Sequence, residues 1–130
     1  MSRIAYTAAQ VFDGEKLAGN RAIVVEDGLI QAIAETGHLE SGTAIKHLGD
    51  VILSPGFVDV QVNGGGGVLL NDDPSLQAIE TIIAAHWTFG TTALLPTLIT
   101  DTPVVTAQAV DAAIAAERAG TRGFAGLHLE

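Results

Sequence analysis

Cysteine is absent from the 130-residue sequence. That excludes disulfides, thiolate metal sites and a cysteine nucleophile, and leaves His, Asp and Glu as the charged or imidazole ligands on offer. Basic residues are scarce. Six Lys and Arg stand against 15 Asp and Glu, a formal charge of −9. The excess argues against nucleic acid or an anionic membrane as partner, because both reward the opposite sign; a phosphate-bearing small molecule stays open. No apolar run approaches the ~18 residues of a membrane span. Met1 is followed by polar Ser2 and Arg3 rather than by an apolar stretch ending in a cleavage site. Neither a span nor a signal peptide is expected, and a cytoplasmic location is the default. What the chain does have is apolar bulk: 48% hydrophobic and 16% charged residues, the composition of a packed domain and not of a disordered one.

Two grammars divide the chain. Up to about residue 52 it reads as short strands punctuated by hairpin turns. Ala22 to Glu26 and Leu29 to Ile33 flank Asp27-Gly28, a dipeptide suited to a two-residue turn, and Asp13-Gly14 marks an earlier one. Residues 1–52 are read as a small antiparallel β unit. From residue 53 onward the pattern alternates strand and helix. Phe57 to Val62 is a strand. Asp73-Pro74 predicts a helix start, with Leu76, Ile79, Ile82, Ile83 and Trp87 at helical spacing up to Gly90. Thr92 to Leu95 is a second strand, Thr102-Pro103 caps a second helix over Val104 to Ala119 before Gly120, and Phe124 to Leu129 is a third strand. Strand centres near Val58, Ala93 and Leu127 lie 35 and 34 residues apart, close to the ~31 obtained by dividing a typical ~250-residue (β/α)8 barrel by eight. The expected class is therefore α/β: the N-terminal part of a small β-sandwich (1–52), then the first two and a half βα units of an incomplete TIM-like barrel (53–130) with parallel strands.

Period-two alternation sets Asp59, Gln61 and Asn63 on one face of the first long strand and Val58, Val60 and Val62 on the other. In a barrel the valine face packs under helices and the polar face points inward. His128 and Glu130 share the corresponding face of the third strand, so two polar pairs converge at the carboxyl ends, where barrel enzymes keep their sites. Against this stands the plain alternative of polar residues satisfied at strand ends. Glu130 is the anionic oxygen among them that a hard or borderline divalent ion accepts. Gly64 to Gly67 permits positive φ and close backbone approach to a ligand, or simply a tight turn; it matches no phosphate-binding loop. His86, on the first helix, is read as packed or capping. His38 and His47 carry no assigned role.

Leu53 to Gly64, LSPGFVDVQVNG, behind the AIVVEDGLIQAI hairpin, resembles the amidohydrolase superfamily, whose first barrel strand commonly reads PGFxDxHxH with two metal-binding histidines. Gln61 and Asn63 stand at those two positions here. That exchange, the glycine run, Gly90-Thr91-Thr92, Leu95 to Thr100 (LPTLIT) and the closing Gly126 to Glu130 (GLHLE) are similar to the family of N-acetylglucosamine-6-phosphate deacetylases. The resemblance implies a metal-dependent hydrolase in which Glu130 is a metal ligand, Gln61 and Asn63 lie beside the metal, and Asp59 and His128 stand behind them. It further implies one dominant divalent ion, zinc or another transition metal, that polarises the amide carbonyl and lowers the pKa of bound water. A sugar phosphate is the implied substrate, with release of acetate, and a homodimer is the implied assembly. The family's two later histidines and its proton-transferring Asp have no counterpart among these 130 residues. No catalytic residue is therefore assigned here, and the chain is expected to be an inactive N-terminal part of the enzyme. Two other readings stand beside this one: another amidohydrolase of dihydroorotase or D-aminoacylase type, which normally keeps the two histidines, and a non-catalytic truncated chain.

Overall fold

A computed structural model of the chain describes residues 3–130. Its internal packing separates two compact units, Met1–Pro55 and Gly56–Glu130.

The first unit contains β1 (Arg3–Thr7), β2 (Gln10–Phe12), β3 (Leu17–Ala18), β4 (Arg21–Glu26), β5 (Leu29–Glu35), a 3-10 turn at Thr36–His38, β6 (Ala44–His47) and β7 (Ile52–Leu53). The β4–β5 hairpin turns on Asp27 (φ 50°) and Gly28 (φ 82°), the positive-φ pair that a tight turn between twisted strands requires. Two sheets result, ordered β5-β4-β1-β6 and β3-β2-β7. The expectation of an antiparallel unit needs correction: β1 pairs in parallel with β6, and β2 in parallel with β7. The chain returns after the 3-10 turn and runs beside its own beginning in the same direction, a long-range pairing that leaves no local turn signal. Ala5, Ala22 and Val24 form a small buried core, with Ala34 and Leu39 packed against it.

The second unit contains β8 (Phe57–Val62), β9 (Gly64–Gly65), β10 (Val68–Leu69), α1 (Leu76–Trp87), β11 (Thr91–Leu98), α2 (Pro103–Ala119) and β12 (His128–Leu129). β11 is the middle strand of a three-stranded sheet, parallel to β8 on one side and to β12 on the other. The third strand is shorter than Phe124 to Leu129. Phe124 makes only a single bridge to Leu94, and Gly123 (φ 90°) and Gly126 (φ 134°) interrupt the extended run before β12. The first helix also starts later than Asp73-Pro74 suggests. Ser75 is the N-cap and its hydroxyl accepts from the Ala78 amide at 3.1 Å. The second helix starts as its sequence predicts, with Thr102 Oγ1 accepting from the Val105 amide, Pro103 in the first turn and Gly120 left-handed (φ 64°) at the end.

Ile79, Ile82 and Ile83 of α1 and Ala109, Ala112 and Ala116 of α2 share one core with Val62, Leu70, Leu94 and Leu98. The alanine stripe, at helical spacing, lets α2 lie close to α1. Trp87 is half-exposed, with the Arg122 guanidinium 5.6 Å from its ring centre. The valine face of β8 is also largely uncovered: Val62 is buried, but Val58 and Val60 are 66% and 62% exposed. The helices cover the middle strand, and β8 lies at the sheet edge.

Candidate functional site

Proline at position 96 stands where the sheet that carries the site changes register. It sits inside β11 and has no N–H to give the neighbouring strand. The register between β8 and β11 slips here: Asp59 faces Leu94 and Val62 faces Pro96, so β8 carries one residue more over the same span. Such a bulge re-aims side chains. Thr97, fully buried, repairs the ladder: its Oγ1 accepts from the Val62 amide at 2.9 Å and donates to the Leu95 carbonyl at 3.2 Å.

Beside this repair, side chains from the two outer strands meet across β11. Gln61 Nε2 donates to Glu130 Oε2 at 3.0 Å, joining residues 69 positions apart. His128 Nδ1 lies 3.0 Å from the Val60 carbonyl oxygen. A carbonyl only accepts, so that nitrogen carries the proton and Nε2 of the neutral ring keeps its lone pair. Asp59 Oδ1 accepts from the Gln61 amide at 3.2 Å. Asn63, expected at the same mouth, is not part of the Gln61–Glu130 contact; its Oδ1 is buried with no hydrogen-bond partner among the described residues.

Sequence reasoning missed three residues that hold Glu130 and its surroundings. Glu130 N donates to the Leu98 carbonyl at 3.0 Å, and Thr100 Oγ1 donates to the Glu130 carbonyl at 2.6 Å. Asn71 clamps the segment bearing Thr100: its Oδ1 accepts from the Ile99 amide at 3.1 Å, and its Nδ2 donates to the Ile99 carbonyl and to Asp101 Oδ2, both at 2.9 Å. Asn71 and the Thr102 amide together hold the Asp101 carboxyl below its ordinary pKa. Thr97, Thr100 and Asn71 are ordinary polar residues in sequence, and only the segment Leu95 to Thr100 reads as part of a motif.

The glycine run is a tight hairpin, β9 against β10, turning on Gly66 (φ 62°) and Gly67 (φ 83°). Its close approach is to protein. A Cβ on Gly64 would fall on the Val68 carbonyl oxygen, and one on Gly65 would lie 3.0 Å from the His86 ring. His86 Nε2 itself meets the Gly64 carbonyl at 3.1 Å, so this imidazole packs the hairpin onto α1.

As a metal centre the cluster is short of donors. Glu130 offers one carboxylate, already bonded to Gln61, and the described residues hold no group of three His, Asp or Glu side chains arranged around an ion. A catalytic zinc usually has three protein ligands and an open position. The residues of this chain do not fit a complete site.

Solved structures share this architecture. A structure of molinate hydrolase, at 17% identity and a TM-score of 0.61, shares the fold. Nearer matches are more specific. The crystal structure of N-acetylglucosamine-6-phosphate deacetylase from Pasteurella multocida superposes with a TM-score of 0.90 at 28% identity, over 98% of this chain and 34% of that one. Among curated proteins, N-acetylgalactosamine-6-phosphate deacetylase from Shewanella sp. (strain ANA-3) is 40% identical over 124 residues, 94% of this chain and 32% of its own length. N-acetylglucosamine-6-phosphate deacetylase from Haemophilus influenzae is 35% identical over 79 residues, 61% of this chain and 21% of its own. No family model matches the chain. The curated relatives named above and the Pasteurella multocida neighbour are thus deacetylases of N-acetylated amino-sugar 6-phosphates, of the amidohydrolase family. The chain spans about a third of the length of the first of these curated relatives.

Proposed function

We propose that this chain is the amino-terminal part of a metal-dependent amidohydrolase that removes acetate from N-acetylglucosamine 6-phosphate. The observation that carries the reading is the 0.90 TM-score superposition on a deacetylase of that name over nearly the whole chain. In this reading residues 1–52 are part of a β-sandwich, and residues 53–130 open a (β/α)8 barrel whose strands β8, β11 and β12 are the first three in order. Parallel pairing in sequential order supports it. Glu130 is the carboxylate this chain brings to a single dominant divalent ion, zinc or another transition metal. Gln61 and Asn63 lie beside it, with Asp59 and His128 behind. The donors and proton-transferring group that these residues lack come from the remaining two-thirds that the relatives possess.

What this chain's own groups do is orient and hold. Gln61 keeps one carboxylate oxygen of Glu130 fixed by donating to it. The Nδ1 proton of His128 ties the third strand to the first at Val60. The proposed setting is cytoplasmic, the partners a small sugar phosphate and a second copy of the complete enzyme. No described helix is long and apolar enough to cross a membrane. The 40% identical relative is named for the galactosamine sugar, and this favours a second reading of the substrate, N-acetylgalactosamine 6-phosphate, through the same chemistry.

A chimera tests the proposal. This chain replaces the matching third of the Pasteurella multocida enzyme, and acetate release from both sugar phosphates is followed with and without chelator. Metal-dependent turnover that Glu130→Gln abolishes is expected, and the preferred sugar decides between the two substrates. The 130-residue chain alone should release no acetate above blank and show no tight one-to-one zinc site by calorimetry, because one carboxylate leaves the ion largely hydrated and no positioned base is at hand. Turnover by the isolated chain would overturn the assignment of roles.

A further inference from the structure

We propose that Asn71 is a positioning residue for the Glu130 carboxylate, acting through the segment that follows β11 and through the hydroxyl of Thr100. The inference rests on the reading of Glu130 as the carboxylate of the site, and nothing in the amidohydrolase resemblance assigns Asn71 or Thr100 a role.

The observation is a continuous set of bonds between elements far apart in sequence. Asn71, two residues beyond β10, presents its side-chain amide to Ile99 as a neighbouring strand would present a peptide: one oxygen receives the Ile99 N–H at 3.1 Å and one N–H reaches the Ile99 carbonyl at 2.9 Å. The second N–H of the same amide binds Asp101 Oδ2, also at 2.9 Å. Residues 99 and 101 are therefore held from one side, and Thr100 between them points its hydroxyl at the Glu130 carbonyl, 2.6 Å away. The Glu130 amide is held by Leu98 at 3.0 Å and one carboxylate oxygen by Gln61 at 3.0 Å. The main chain of Glu130 is thus pinned at both polar atoms to residues 98–100, and residues 99–101 are pinned to Asn71.

The chemistry gives this clamp a purpose that packing would not. Glu130 lies past the end of β12, where only two residues form ladder pairs with β11. So short a strand leaves the direction of the following side chain poorly determined by backbone pairing alone. An amide fits the Asn71 position for a specific reason. It must accept from one backbone group while donating to another and to a carboxylate. A carboxylate at 71 would face Asp101 with like charge, and an apolar group would leave the Ile99 N–H and carbonyl to solvent. Misplacing a reacting or ligating group by about 1 Å costs on the order of 100-fold in rate, so a clamp of this kind can matter without touching substrate.

The test has two arms. In the isolated chain, nitrogen-edited NMR follows the Gln61 side-chain NH2 and the Glu130 amide. Asn71→Ala and Thr100→Val should both move these signals, the Gln61 pair toward the position of a free glutamine, with the α1 and α2 amides unchanged; Thr100→Ser, which restores the hydroxyl, should bring them back. In the chimera described above, Asn71→Ala and Thr100→Val should lower kcat roughly 10- to 100-fold with little change in KM, and Thr100→Ser should recover most of it. If Asn71→Ala disrupts the fold, Thr100→Val, a near-isosteric change, carries both arms. Unmoved Gln61 and Glu130 signals in a folded variant would overturn the clamp whatever the chimera does. Moved signals with undiminished kcat, in a chimera that Glu130→Gln inactivates, would overturn its positioning role. A chimera indifferent to Glu130→Gln would sink the reading of the site and remove any part for Asn71 in it, while leaving the NMR result to stand as a structural fact.

Discussion

Beside the register slip at Pro96, the Thr97 side chain supplies the acceptor for the Val62 N–H. Replacing it with valine keeps the shape and leaves the Val62 N–H buried without an acceptor, a loss of about 1–3 kcal/mol. Urea denaturation followed by circular dichroism should register it, and an unchanged midpoint would show that the register slip relaxes to find another partner. Asp101 makes a different prediction. Its carboxylate accepts from Asn71 and from the Thr102 amide, so its folded pKa lies below the ordinary 3.8. Because the folded value is depressed, the stabilisation is present above 3.8 and disappears as the pH falls through the lower, folded value. Carbon-13 titration of the side-chain carboxyl should give a midpoint below 3.8, and Asn71→Ala should return it toward 3.8 by removing the larger cause. A wild-type midpoint at or above 3.8 would contradict the clamp drawn around this residue.

The second helix is the element whose ends are most plainly written. Thr102-Pro103 and Gly120 announce it, and Thr102→Ala should cost about 1 kcal/mol of stability, read by thermal or urea unfolding. The glycine hairpin is legible only in part. Four glycines foretell positive φ, which Gly66 and Gly67 adopt, but a sequence cannot say that the backbone is approached by its own partner strand and by His86 instead of by a ligand. Gly64→Ala should prevent β9 and β10 from closing, visible as loss of amide protection at Leu70, whose N–H is bonded to the Asn63 carbonyl. Strands are readable where side chains alternate, as over Phe57 to Val62, and unreadable where pairing is distant, as in the parallel returns of β6 and β7. Of the candidate site, alternation put Gln61 and Glu130 on convergent faces, and they do meet. Asn63 shares the alternation but not the contact, because a face is a property of one strand and a contact depends on three. Asn71 and Thr100 escaped notice for the same reason: both act on backbone that comes close only after the sheet has formed.

For the molecule as a whole, the uncovered edge of the parallel sheet is the exposed liability. β8 presents Phe57, Val58 and Val60, each more than 60% exposed, on a strand paired along one side only. Val60→Lys should lower concentration-dependent association, measured by light scattering, without moving the unfolding midpoint by more than about 0.5 kcal/mol equivalent; unaltered scattering would acquit this edge. The order of the sheet bears on something else again. β11 finds β8 already made, and β12 finds β11 already made, with one helix laid down between each pair. β8 waits only for β11, the next long strand of the unit. A nascent chain leaving the ribosome could therefore lay down this sheet in the order it is translated, each new strand docking on the last, so that the seat for the carboxylate is half built before the residue that occupies it has emerged.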